Sequence, residues 1–304
     1  MSLNNFIIRV PGSTANLGPG FDSMGLAVDL FLTIEVEKSN KWEVIPLGDP
    51  DDEKEYPCDE SNLICKTAIG IAERFNKSIE PCRLTIKSDI PLARGLGSSG
   101  AAIVAGIELV NVLACLDLSD AEKLNLATDL EGHPDNVGAS IFGGLFVGSR
   151  HDKIVSGLSF KDLPFELIAA IPKTPLATEK SRSVLPVTLP FSEAVTASAI
   201  SNMLLAALLQ QKWTIAGEMM GKDLFHQPYR YELVPDLMNM KEYVSENHAF
   251  GVYLSGAGPT IMLCCVPGNC DRLAEELRLK YGKFEIRHLQ IVNKGSGVIK
   301  TQKR

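Results

Sequence analysis

"RGLGSSGAA", Arg94 to Ala102, places Gly95, Gly97 and Gly100 at the spacing G-x-G-x-x-G. The stretch before it, "CRLTIKSDIP", alternates Leu84 and Ile86 with Arg83, Thr85 and Lys87, the period-two pattern of a half-buried strand that stops at Pro91. The stretch after it, "AAIVAGIELVNVLACL", has only Glu108 and Asn111 as polar residues and no proline, which predicts a buried helix. Strand, glycine loop and helix together suit an anion. Glycine lets the backbone approach closely, and the free amides and positive dipole end of the following helix point at the charge. The plainer alternative is a glycine-rich turn joining strand to helix.

Three familiar loops share this outline and can be tested. A P-loop needs Lys and Ser/Thr where Ala101 and Ala102 stand. A protein-kinase loop needs a following Val-Ala-Ile-Lys strand and the His-Arg-Asp and Asp-Phe-Gly motifs, none of which occurs. A dinucleotide loop needs an acid about 20 residues on, at a strand end. Asp117 is near that place, but Ser119 and Glu122 form a capping box that opens a helix ending at Gly132, so the acid lies between helices. What stays distinctive is the pair Ser98 and Ser99 at the helix mouth, hydroxyls suited to phosphate or a hard cation.

With 45% hydrophobic residues among 304, the chain can bury a sizeable core and is expected to form two domains. A net charge of -7, with no basic block beyond the short "KTQKR" ending, argues against nucleic acid and anionic membranes as partners. Seven cysteines without a C-x-x-C pair signal neither a zinc site nor a disulfide framework, and suit a reducing cytoplasm. The longest apolar stretches read as interrupted before membrane-spanning length.

From the first residues the pattern runs strand, Gly/Pro-rich loop, strands, then an acidic excursion in "GDPDDEKEYPCDES". A helix over 61–76 precedes the strand, loop and buried helix already described. "NVGASIFGGLFVG" closes this half with small-residue packing and a strand. A second series follows: a strand in "FELIAAIP", helices across 190–225 and 234–247, strands in "GVYLSG" and "TIMLCCV", a helix from Cys270 to Tyr281 and a last strand in "FEIRHLQIV". The class is α+β, divided into domains at 1–157 and 158–304. Two more glycine clusters stand out, "STANLGPGFDSMG" (13–25) and "SGAGPT" (255–260), each readable alone as a turn.

Together, "STANLGPGFDSMG", "PLARGLGSSGAA" and "SGAGPT" are similar to the three signature motifs of the small-molecule kinase superfamily of galactokinase, homoserine kinase, mevalonate kinase and phosphomevalonate kinase, in the same order. "EGHPDNV", "ATEKSRSVLP" and "HQPYR" add a resemblance to its homoserine kinase branch. One departure is Gly100, where the family usually has alanine, at a helix-propensity cost of roughly 1 kcal/mol.

The resemblance implies an N-terminal domain like the second domain of ribosomal protein S5, a ferredoxin-like C-terminal domain, and ATP between them. Its implied substrate is L-homoserine, phosphorylated on the side-chain hydroxyl. Pro91, Leu92, Ala93, Arg94, Gly95, Leu96, Gly97, Ser98, Ser99, Gly100 and Ala101 would hold the nucleotide, and Ser99 with Glu131 would hold Mg2+. Arg182 and Arg230 suit a substrate carboxylate because a guanidinium forks onto it. Asn16, Asp22, His133 and Asn136 would meet the ammonium and hydroxyl groups. Asn136, Asp22 and Arg182 are the expected catalytic residues. The proton acceptor stays open, because an amide cannot take a proton: Asp22 or Asp135 would serve, or positioning alone would suffice. An NAD-dependent oxidoreductase, a kinase of another small alcohol, a non-catalytic binding protein on the same fold and self-association into a homodimer also stay open.

Overall fold

The computed structural model describes residues 5–47, 57–244 and 249–300. Most of the acidic excursion, 48–56, and the basic ending past Lys300 lie outside the described residues.

The first sheet grows from a long antiparallel pair, β1 (Phe6–Ala15) and β2 (Met24–Lys38), with a register shift at Pro11/Gly12. β4 (Cys82–Ser88) runs antiparallel to β2, and its alternation turns Leu84 and Ile86 inward as the sequence pattern requires. β3 (Glu43–Leu47) adds to β4 in parallel, and β5 (Leu145–His151) with β6 (Ile154–Phe160) extends the other end of β2. The sheet is completed by β11 (Gly297–Lys300), which returns from the chain's far end to pair with β1. α2 (Ser98–Leu113) and α4 (Asp135–Phe142) pack on it, α3 (Asp120–Glu131) reaches β6, and α1 (Leu63–Arg74) packs on α2.

Local chemistry explains the helix limits. Asn62 caps α1 by accepting from the Ile64 amide. The Ser119/Glu122 capping box opens α3, and Gly132 at φ 96° closes it. α2 is buried on nearly every side, so its one charged residue needs partners. Glu108 has them in Lys123 (3.0 Å) and the Ser296 hydroxyl (2.8 Å).

The second sheet has the antiparallel order β10-β7-β9-β8, from β7 (Glu166–Pro172), β8 (Ala249–Leu254), β9 (Ile261–Cys265) and β10 (Phe284–Leu289). Helices lie between β7 and β8, the short α5 (Thr178–Ser183) and α8 (Gln227–Arg230) among them, and between β9 and β10, so each half is strand, helix, strand, which is the ferredoxin-like arrangement. One face is covered by α9 (Asp236–Val244) and α10 (Cys270–Lys280), and carries Ile168, Ala170, Leu263 and Cys265. The opposite face carries Leu167, Ala169, Met262 and Cys264 into the large core that also fills the first sheet. One continuous apolar mass thus joins the two sheets.

Several readings differ from the sequence pattern. The expected division at 157/158 falls inside β6, which pairs with β5 along its whole length, while β11 rejoins the first sheet. The helices expected across 190–225 form as α6 (Phe191–Leu209) and α7 (Trp213–Gly221), parted where Gln211 takes a positive φ of 55°. α6 also corrects the reading that all apolar stretches fall short of a membrane span. Its 19 residues average a hydropathy of 1.4 and pass that test by length and composition. Here it buries Ala197, Leu204, Ala207 and Leu208 and packs on α7, leaving Phe191 and Val195 exposed.

Contact between α7 and β8 depends on one glycine. A Cβ on Gly217 would stand 1.4 Å from the Phe250 carbonyl oxygen, whereas one on Gly221 would meet nothing within 4 Å. Gly217→Ala should therefore destabilise the protein by at least about 1–3 kcal/mol, seen as a lower midpoint in urea. Gly221→Ala should not, and equal midpoints for the two variants would refute the close packing.

Candidate active site

Three glycine loops meet at one place. Gly95 and Gly97 adopt φ of 76° and 75°, open to glycine without strain. A Cβ at Gly95 would lie 2.3 Å from the Ser255 carbonyl oxygen, and one at Gly97 would lie 2.3 Å from the Ser13 hydroxyl. Neither position admits a side chain. Hydrogen bonds close the junction: Ser255 Oγ donates to the Gly95 carbonyl (2.5 Å), the Gly256 amide to Ala15 (3.1 Å), the Ser13 amide to Leu96 (3.1 Å) and the Thr260 amide to Arg94 (3.3 Å). Asn16, at φ 74°, donates through Nδ2 to the Gly256 carbonyl and accepts the Asp22 amide on Oδ1. Its side chain thus ties the first loop to the third.

A cleft of about 610 Å³ opens at this junction, lined by Asn16, Asp22, Gly95, Gly97, Ser98, Ser99, Glu131, His133, Asn136, Arg182 and Arg230 among others. Ser98, Ser99 and Gly100 begin α2, so their amides have no helical acceptor. A second, apolar pocket of about 760 Å³ lined by Leu32, Ile64, Ile86, Ile90 and Leu92 shares Ser98 and Ser99 with the cleft. Of the expected nucleotide loop, Ala93, Gly95, Gly97, Ser98 and Ser99 face the cleft and Leu92 the apolar pocket. Leu96, Gly100 and Ala101 are buried. Arg94 turns away, its guanidinium donating to the carbonyls of Leu92, Pro172 and Lys173.

The acidic wall is built by α3 and α4. His133 Nδ1 lies 2.7 Å from Asp135 Oδ1, and that same oxygen accepts the Asn136 amide at 2.7 Å. Asn136 in turn accepts the Ser13 hydroxyl on Oδ1 (2.9 Å), which fixes the amide's orientation. Burial opposes charge on His133, but the bond and attraction to Asp135, helped by Asp22, outweigh it and raise its pKa above 6.5. Glu131 accepts the Ser99 hydroxyl at 3.0 Å. Burial pushes its carboxyl up against the opposing pull of His133 and Ser99.

The two arginines differ. Arg182 forks onto Asp22, Nη2 to Oδ1 at 2.6 Å and Nη1 to Oδ2 at 3.1 Å, so in this state its fork is occupied from within the protein. Arg230 is 1% exposed and donates from Nε to the Ser181 carbonyl and from Nη1 to the Gly256 carbonyl. It also donates from Nη1 to His226 Nδ1 at 2.9 Å. Burial, then repulsion by Arg182, brings its pKa down to about 10, still charged at neutral pH.

His226 is the residue that sequence reasoning missed. It is fully buried, stacks on Phe21, and donates from Nε2 to the Gly18 carbonyl at 2.9 Å, leaving Nδ1 as acceptor for Arg230. Burial depresses its pKa to about 4, so the imidazole is neutral. Only its place at the head of "HQPYR", two residues before Pro228, could have flagged it, and a lone histidine there has no spacing signature.

Comparison with known proteins agrees over 97% of the chain. The family models "GHMP kinases N terminal domain" and "GHMP kinases C terminal" match residues 62–144 and 204–283. A homoserine kinase from Bacillus cereus is 47% identical over 297 residues, covering 97% of each chain. One from Bacillus anthracis is 47% identical over 296 residues, with the same coverage. Among solved structures, a candidate homoserine kinase from Listeria monocytogenes superposes with a TM-score of 0.85 at 38% identity, covering 97% of this chain and all of that one. A mevalonate kinase at 17% identity and TM-score 0.68, covering 95% of this chain and 99% of that one, shares the fold.

The wall chemistry predicts a titration. His133 should show a pKa above 6.5 by NMR, and Asp135→Asn should lower it, because burial then acts with less opposition. The pair's contribution to stability is present below pH 6.5 and is lost as pH rises through the raised native value. An unchanged His133 pKa in Asp135→Asn would show that the contact does not carry the shift.

Proposed function

The chain belongs to the homoserine kinases, and from that premise we propose how its cleft transfers the γ-phosphoryl group of ATP to the side-chain hydroxyl of L-homoserine. The products are ADP and O-phospho-L-homoserine, a step of threonine biosynthesis. Seven free thiols suit a reducing cytoplasm as its setting.

The observation that carries the reading is that Ser98 and Ser99 stand at the mouth of both the apolar pocket and the charged cleft. The base would lie among Leu32, Ile64, Ile86 and Leu92. The phosphates would meet the free amides at the start of α2, where the dipole favours negative charge. Ser99 and Glu131 present hard oxygens side by side, and burial of the Glu131 carboxyl suits a cation. These two would hold Mg2+, which supplies charge neutralisation to the phosphates when bound.

Homoserine would lie deeper, its carboxylate on Arg230 with Arg182 beside it and its ammonium toward Asp22 and the Asp135 wall. Asn136, held by Ser13 and Asp135, would orient the hydroxyl. Both oxygens of Asp22 are taken by Arg182, and Asp135 Oδ1 carries three contacts. We infer that the proton leaves to a phosphoryl oxygen or water, because Asp22 is engaged by Arg182 before homoserine binds and by its ammonium afterwards, and that the protein acts by positioning and charge.

A coupled ADP-release assay over homoserine, mevalonate, galactose and shikimate should show turnover with homoserine and little with the rest. No turnover with any of them would favour a binding protein, and binding of NADH but not of magnesium ATP would favour the oxidoreductase.

The arginines give a sharper test. Arg230→Ala should lower kcat/KM for homoserine roughly ten- to several-hundred-fold, from lost charge-assisted bonds of about 1.5 to 3 kcal/mol each. Homoserinol, which lacks the carboxylate, should be a poor substrate that loses little more. Arg182→Ala also frees Asp22, so it should damage both substrates. Equal losses with both substrates in Arg230→Ala would remove it as the carboxylate ligand.

For the metal, Glu131→Gln should lower kcat with modest change in the homoserine KM, partly restored by added magnesium. An unchanged kcat would make Glu131 an ordinary helix-end residue.

A further inference from the structure

Away from the cleft, at one corner of the second sheet, four residues of metal-binding type converge. Glu166 on β7 pairs in register with Cys265 on β9, and Ile168 pairs with His288 on β10. Period-two alternation puts Glu166, Cys265 and His288 on the same face, the one covered by α9 and α10. Cys270, the first residue of α10, lies over them. Ligand atoms of Glu166, Cys270 and His288 all fall within 4.8 Å of one another. Cys270 is fully buried, as is Cys265 behind it, while Glu166 and His288 are about three-quarters buried.

The second ring nitrogen adds to the pattern. His288 Nδ1 lies 2.9 Å from the Asp271 carboxylate, while Nε2 faces Glu166 Oε2 at 3.1 Å and the Gln290 amide at 3.2 Å. A carboxylate on one imidazole nitrogen, with the other turned toward an acid and a thiol, is the arrangement that orients a metal-ligating histidine. Among the described residues, neither Glu166 nor Asp271 is ion-paired with a lysine or arginine. The corner therefore gathers two carboxylates and two thiols around a single imidazole.

We propose that Cys270, His288 and Glu166 form a zinc site that clamps β7, β10 and the start of α10, with Cys265 beside it and a fourth position for water or the Cys265 sulfur. One sulfur, one imidazole nitrogen and one carboxylate oxygen are the donor types zinc takes in tetrahedral sites. Binding displaces the Cys270 thiol proton, and any proton on His288 Nε2, to solvent. The C-x-x-C spacing that usually advertises such a site is absent because its ligands come from three separate elements. The site bears on stability of the second sheet and not on phosphoryl transfer, since none of its residues lines the cleft.

The test uses the full chain, reduced and stripped of metal, titrated with Co2+ and then Zn2+. One equivalent of Co2+ should give a thiolate-to-cobalt charge-transfer band with tetrahedral visible absorption. Zn2+ should displace it and raise Tm. His288→Gln should abolish the band, Cys270→Ser should cut it by at least about half even if Cys265 supplies the fourth ligand, and Asp271→Asn should weaken zinc roughly tenfold. Cys270→Ser is nearly isosteric, so it keeps the test valid if His288→Gln folds poorly; its kinase turnover should equal that of the parent. Absence of the band, or a band undiminished in Cys270→Ser, overturns the proposal. So does cobalt bound without thiolate absorption, which would point to the cleft, where Ser99 with Glu131 and the group Asp22, His133 and Asp135 offer oxygen and nitrogen ligands.

Discussion

The approach of the Gly95 backbone to the Ser255 carbonyl is the constraint on which the cleft depends. Any side chain at Gly95 or Gly97 would push the loops apart, and the bonds from Ser255, Gly256 and Thr260 would go with them. The loop before α2 is held from both sides, by Ser13 after β1 and by the turn between β8 and β9. The amides at the start of α2 are therefore fixed without a ligand, so little ordering cost remains at binding. The shared apolar core beneath the junction, continuous from Ile8 and Leu26 to Leu167 and Met262, gives the two sheets one rigid footing.

A guanidinium as buried as Arg230 needs its desolvation offset, and the surrounding loop supplies acceptors instead of a direct carboxylate. Two carbonyls and the His226 ring accept hydrogen bonds from its Nε and Nη1. His226 can accept because its own proton is committed to Gly18 and because burial keeps it uncharged. Asp223 sits behind, accepting the amides of Phe225, His226 and Gln227. The negative charge is thus one layer removed, and Arg230 keeps net positive character toward the cleft. A carboxylate in direct contact would have neutralised it, which is the situation of Arg182 with Asp22.

How much of this the sequence disclosed follows the range of each interaction. The strand before the glycine loop, the buried helix after it and the Ser119 capping box are set by neighbours within a few residues, and each forms where the pattern places it. β11 left no such trace, because its four residues become a strand only by pairing with β1 nearly the whole chain away. α4 hid among small residues whose spacing serves close packing: a Cβ at Gly138 would strike the Phe146 ring. Motif resemblance gathered most of the cleft's residues, but their mutual engagement was not legible. Nothing in "GPGFD" or "EKSRS" says that Asp22 and Arg182 pair, nor that Arg94 is spent on backbone carbonyls.

That internal pairing bears on selectivity under the proposed reading. The cleft holds Asp22, Glu131 and Asp135 against Arg182, Arg230 and a His133 biased toward its charged form, so the fixed charges roughly balance before anything binds. A zwitterion preserves the balance, because its carboxylate takes a guanidinium fork while its ammonium takes the carboxylate thereby released. Such an exchange swaps one set of charged contacts for another, so it adds discrimination more than raw affinity. An acid without an ammonium would draw on the same arginines but leave Asp22 unpaired, and a neutral sugar would leave the Arg182–Asp22 pair closed across its path. Rejection then comes from half-buried charges stranded without partners, a term that separates substrates by more than a missing methylene can. The same three-motif frame can thus hold other alcohols in related proteins, while here the ion pairs lining it favour an amino acid.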